Sequence, residues 1–161
     1  MTSYEKLLEI ASEENICVYD SFDLNGDKKS IQRLDGLYID GNVALDKAIP
    51  TLKEKACVLA EELGHYYTTT GDILDQSRAE NRKQEQKARL WAYNRMVGLM
   101  GLVRAFEHGC RNLSETAEFL DVTDLFLADA LEKYRQKYGI FTTVDNYIIY
   151  FEPNLRVGKM I

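Results

Sequence analysis

Proline is nearly absent from this chain, two residues in 161, and glycine is modest at ten. Collagen-like and Pro/Gly-rich disordered classes are thereby excluded, and helix is expected to dominate. Histidine is as scarce as proline: only His65 and His108 occur, so a three-histidine metal site is impossible. The three cysteines, Cys17, Cys57 and Cys110, are odd in number and widely spaced. They fit neither a disulfide framework nor a C-x-x-C metal knuckle, and read as reduced, buried thiols. Long hydrophobic runs are missing too. The longest, Val97 to Val103, is interrupted by Gly98 and Gly101 and ends at Arg104, far short of the roughly 20 residues that span a bilayer. The opening residues, Met1 to Lys6, lack the basic region and apolar core of a secretory signal, so a cytoplasmic location and no membrane contact are expected. A basic excess is also absent. Lys and Arg number 20 against 26 Asp and Glu, a net charge of -6, and a surface of that sign repels phosphate backbones, which argues against direct nucleic-acid binding.

What is present is the balance of a folded protein, 45% apolar and 29% charged residues, at a length that suits one domain over residues 1–161. Thr2 and Glu5 form a capping box for a first helix that carries Leu7, Leu8, Ile10 and Ala11 and ends near Asn15. Ile16 to Phe22, then Leu37-Tyr38-Ile39 before Asp40-Gly41, with Asn25-Gly26-Asp27 as a turn, read as a small antiparallel sheet. After Pro50, Thr51 and Glu54 make a second capping box for a helix from about Leu52 to Thr69. A long helix is expected from about Ala79 to Phe106, then two shorter ones over 113–120 and 124–138, capped by Asn112 and Thr123 and stopped by Gly139. Ile140 to Val144 and Tyr147 to Phe151, separated by Asp145-Asn146, read as a C-terminal β-hairpin. The expected class is α+β and mostly helical.

The second helix carries the residues with chemistry. In Leu59-Ala60-Glu61-Glu62-Leu63-Gly64-His65, Glu61 and His65 lie four apart, one turn from each other on the same face, where both could grip one metal ion. Glu62 follows the first of them. In H-E-x-x-H zinc peptidases a carboxylate at that position takes a proton from water. The first position here is Glu rather than His, and such acidic helices with an occasional His are also common as solvated faces.

The wider stretch Leu59 to Tyr67 resembles the active-site helix of the ImmA/IrrE family of metallopeptidases, which usually reads L-A-H-E-L-G-H. Gln84-Glu85-Gln86-Lys87-Ala88-Arg89-Leu90-Trp91-Ala92 is similar to that family's E-x-x-A-x-x-F-A segment, and Gly36 to Asn42 to its edge-strand region. The similarity runs in family order over roughly residues 1–140. It implies a zincin-like core with metal ligands Glu61, His65 and Glu85, and Glu62 as general base. It further implies a zinc-dependent endopeptidase acting on a regulatory protein, such as a helix-turn-helix repressor of a prophage or other mobile element. With Glu at position 61 the ion would keep less net positive charge, so its bound water would be less acidic, and affinity for soft-leaning Zn²⁺ would fall relative to harder ions such as Mn²⁺. The alternative is a non-catalytic module on the same fold that binds such a repressor without cleaving it, or, more distantly, a structural cluster of the four polar residues.

Other residues have simpler readings beside functional ones. Asp72 and Asp75 could enter the site but more simply shape a turn, and His108 at a helix end could replace a ligand but more simply meets exposed carbonyls. Tyr66 and Tyr67 could donate to an oxyanion or pack in the core, and Leu90, Trp91, Leu99, Leu102 and Phe106 read as core. The outline of a helix-turn-helix over 113–138 is too acidic for a recognition helix.

Overall fold

A computed structural model describes residues 1–26, 33–69 and 78–161. They form two compact units, Met1–Ala92 and Tyr93–Ile161.

In the first unit, α1 (Ser3–Glu13) starts where Thr2 accepts the Glu5 N–H at 3.1 Å, the expected cap. Strand β1 (Cys17–Phe22) follows, then β2 (Gly36–Ile39), β3 (Asn42–Asp46) and α2 (Leu52–Thr68). The Asp40-Gly41 turn joins β2 and β3 as an antiparallel hairpin, pairing Leu37 with Ala44 and Tyr38 with Val43. The sheet is not wholly antiparallel, however. Strand order is β1-β3-β2, and β1 runs parallel to β3, because the chain passes from β1 through a 13-residue connection instead of a tight turn. Leu7 and Ala11 of α1, Val43 and Leu45 of β3, and Ala56, Leu59, Ala60 and Leu63 of α2 are fully or almost fully buried and form the core.

Asp46, at the end of β3, is a buried carboxylate, 3% exposed. It accepts from the N–H groups of Leu24 (3.1 Å) and Ala48 (3.2 Å) and pairs with Arg33 at 3.0 Å. Burial pushes its pKa up, but these bonds and the guanidinium outweigh that and hold it below the usual carboxylate value. One side chain thus fastens both ends of the β1–β2 connection to β3.

The expected helix over 79–106 is in fact two, α3 (Arg78–Met96) and α4 (Gly98–His108). Gly98 has φ +66°, a conformation that costs glycine little and other residues more. The Tyr134 hydroxyl, 3.2 Å away, accepts the Gly98 N–H and itself donates to Asn94 at 2.9 Å. A buried side chain from a later helix therefore holds the break. Helices α5 (Leu113–Leu120) and α6 (Asp124–Tyr138) match expectation in both bounds and caps. The C-terminal hairpin forms from β4 (Phe141–Val144) and β5 (Tyr147–Tyr150). A third strand that the pattern did not suggest, β6 (Arg156–Lys159), pairs with β5. Leu102, Leu127, Ala130, Tyr134 and Ile149 centre this unit's core.

Two burial expectations need correction. Cys57 is buried, but Cys17 is exposed and Cys110 only half-buried, because the first sits on an exposed strand and the last in a helix–helix turn. Leu102 belongs to the core as expected, whereas Phe106 is 39% exposed and Leu90, Trp91 and Leu99 are half-buried. Among the described residues no helix is long and apolar enough to cross a membrane.

Candidate active site

Helix α2 owes its start to Thr51, whose hydroxyl accepts the Glu54 N–H at 3.2 Å. Its Leu59, Ala60 and Leu63 are buried, and that orientation leaves Glu61, Glu62 and His65 on the flank, each half-buried.

Two glycines set how closely other elements approach this flank. At Gly64 a Cβ would stand 2.2 Å from the carbonyl oxygen of Ala88, so α3 crosses α2 backbone against backbone. At Gly36 of β2 a Cβ would lie 2.6 Å from Val58 and 3.0 Å from the Glu62 side chain. Neither glycine was singled out as a positioning residue from the sequence. The small-residue pair Gly64 and Ala88, each next to a candidate ligand motif, was the available signal.

The crossing at Gly64 brings together residues 20 positions apart. His65 Nε2 lies 2.9 Å from Glu85 Oε2, and the other Glu85 oxygen is 3.3 Å from Arg89 Nε. The Glu85 hydrogen bond raises the His65 pKa above its ordinary value, against the opposing effect of burial, with the negative charges of Glu62, Glu85 and Glu61 adding to the rise. The same bond holds Glu85 below the usual carboxylate range. Both shifts favour the charged imidazolium–carboxylate form of the pair.

Glu62 sits apart in character. Burial pushes its pKa up to about 7, the His65 charge works against that, and the nearby charges of Glu85 and Glu61 add to it; a backbone hydrogen bond from Tyr38 favours the ionised form. Tyr38 belongs to β2, an edge strand in the order β1-β3-β2. The carboxylate that the motif marks as a base therefore lies against the rim of the sheet.

Rings continue the flank. Tyr38 and Tyr66 meet edge to face with centroids 6.1 Å apart, Tyr66 and Tyr67 at 4.9 Å, and Tyr67 stacks on Trp91 at 4.7 Å. The Tyr66 hydroxyl donates to Glu14 at 2.6 Å, which ties it to the end of α1.

Of the four residues expected to carry chemistry, the fold brings His65 and Glu85 into contact and sets Glu62 beside them. Glu61 is close enough for its charge to act on both Glu62 and His65. Among the described residues, no three His, Cys, Asp or Glu side chains stand grouped at metal-holding spacing. The donor chemistry of the set, one imidazole and carboxylates, nevertheless suits Zn²⁺ or Mn²⁺. Two donors at about 2.1 Å from one ion in tetrahedral geometry lie roughly 3.4 Å apart, about half an ångström more than the His65–Glu85 separation.

Asp72 and Asp75 lie outside the described residues. His108, in the last turn of α4, packs its ring against Phe119 with centroids 4.7 Å apart. No protein-family model, no curated protein and no solved structure matches the chain.

Proposed function

We propose that this protein is a metal-dependent endopeptidase of the ImmA/IrrE type, with Glu61, His65 and Glu85 as the metal ligands and Glu62 as the general base. The observation that carries the reading is the 2.9 Å approach of His65 to Glu85 across α2 and α3 beside the half-buried Glu62. The motif resemblance requires that a Glu of the following helix reach the motif histidine, and Glu85 of α3 does so.

A bound Zn²⁺ or Mn²⁺ would supply Lewis acidity, polarising the scissile carbonyl and making water more acidic. The rest falls to the chain itself. A carboxylate withdrawn from water is a stronger base than one in solution, which suits Glu62 to accept a proton from the attacking water. The same Glu62 returns that proton to the leaving amine. An extended substrate would add as a strand along the outer edge of β2, where Gly36 allows β2 to press against Glu62. The target would be a regulatory protein such as a helix-turn-helix repressor, and a chain of net charge -6 suits a basic, DNA-binding partner.

Metal content tests this reading, measured by mass spectrometry on protein purified without chelator, for wild type beside His65→Ala and Glu85→Ala. Near one equivalent of a transition metal in wild type, lost in both variants, is the expected result. A wild type that is metal-free and refuses added Zn²⁺ and Mn²⁺ refutes it.

A second reading is favoured by the state of Glu85, whose two oxygens are already engaged by His65 and Arg89. In that case the same surface binds a regulator without cleaving it. Glu62→Gln separates the two readings, since a peptidase retains metal and loses hydrolysis, whereas a binding module keeps its full effect on the partner.

A further inference from the structure

The second unit holds a groove of about 740 Å³, well away in sequence from the Glu62 site. Its floor is apolar: Leu102 and Phe151 are buried there, while Phe106 and Leu113 remain 39% and 37% exposed. Aromatic and leucine side chains left half-open in a concavity are the material of binding hot spots.

The rim has the opposite charge to the chain as a whole. Arg111, Arg135 and Arg156 line the groove against a single acidic residue, Glu132, although the protein carries a net charge of -6. Arg135 is spent on Glu132 and Glu152, at 2.5 and 3.0 Å. Among the described residues neither of the other two guanidiniums, Arg111 and Arg156, forms an ion pair; the Glu115 carboxylate accepts the Arg111 backbone N–H at 2.7 Å, and Arg156 rests over the Tyr150 ring at 4.7 Å. They come from different walls, the α4–α5 turn and the start of β6.

The shape of the groove follows from β6. Asn154 and Leu155, which lead into β6, and its first two residues, Arg156 and Val157, all line it. Successive side chains of a strand point to opposite faces, so a groove touched by both Arg156 and Val157 meets the margin of the strand at its start rather than one face. Among the described residues, strand order β4-β5-β6 leaves that margin as a sheet edge, with backbone groups available for pairing.

We propose that this groove docks an extended segment of a partner protein, one that alternates carboxylate and apolar side chains and pairs with β6. Main-chain bonds to the edge would hold the segment, Phe106 and Leu113 would take its apolar side chains, and Arg111 and Arg156 would take its carboxylates.

The test uses the full-length chain and two fluorescein-labelled peptide pools in which Leu or Phe alternates with Asp or Glu, or with Lys or Arg. Binding is read by fluorescence anisotropy. The expected result is saturable binding of the acidic pool at least tenfold tighter than the basic one, weakening as salt rises. The Arg111→Glu/Arg156→Glu variant should lose the acidic pool by tenfold or more and gain the basic pool. That swap of preference guards against simple misfolding, which would lose both. Equal binding of the two pools, no binding of the acidic pool, or an unchanged preference in the variant overturns the proposal. Two further outcomes overturn it in favour of other occupants: wild-type dimers, seen by sedimentation, that the variant abolishes, and displacement of the acidic pool by dodecanoate at concentrations below its micelle threshold.

Discussion

Replacing Glu62 by Gln should stabilise the metal-free protein while destroying its proposed activity. Burial raises the folded-state pKa of Glu62 from 4.5 to about 7, so between those values the folded state holds a proton that the unfolded state releases. Stability therefore falls as pH rises through this window, and the loss is complete above about pH 7. At about 1.36 kcal/mol per pKa unit, and after allowing for the partial exposure of the side chain, the penalty is about 2 to 3 kcal/mol. Gln has nearly the same shape, carries no charge and can still accept the Tyr38 N–H. The variant should thus be more stable than wild type at about pH 8.5, by roughly 5–10 °C in Tm for a chain of this size, and nearly equal to it at about pH 4. The assay is thermal and urea unfolding of both proteins in excess chelator at the two pH values. An offset that is the same at both, or a variant less stable than wild type at the higher pH, refutes a buried, charge-penalised Glu62.

Gly64→Ala should force α3 away from α2, since its Cβ would stand 2.2 Å from a backbone oxygen; a loss of about 1–3 kcal/mol in urea unfolding is expected. The same variant, and Glu85→Gln, should lower the His65 pKa, readable by NMR titration because the chain has only one other histidine. In wild type the His65 share of pair stability is full below its ordinary value of 6.5 and is lost as pH rises through its raised folded value, while the Glu85 share is lost as pH falls through its lowered one. Asp46→Ala strands two N–H groups and Arg33, and should cost about 2–3 kcal/mol in the same unfolding assay. Tyr134→Phe removes the hydroxyl that accepts from Gly98 and donates to Asn94; about 1–2 kcal/mol is expected, measured by urea unfolding, and an unchanged midpoint would show that Gly98 alone holds the break.

Four helix starts were legible in the chain because each is written within four residues. Thr2, Thr51, Asn112 and Thr123 all cap as their local pattern requires. The spacing of Glu61 and His65 on one helical face is likewise a matter of 3.6-residue periodicity, and the β2–β3 and β4–β5 hairpins follow from alternation around two-residue turns. What depended on distant partners was not legible. The split of the expected 79–106 helix rests on a tyrosine 36 residues beyond Gly98, the parallel entry of β1 on its pairing with β3 instead of with the next strand, and β6 on pairing with a strand already formed. The candidate site divides in the same way. Residue types and their local order were set by the sequence. The meeting of His65 with Glu85, and the raised pKa of Glu62, were decided only by tertiary structure, because both need backbones to close at Gly64 and Gly36 and water to be excluded where they do.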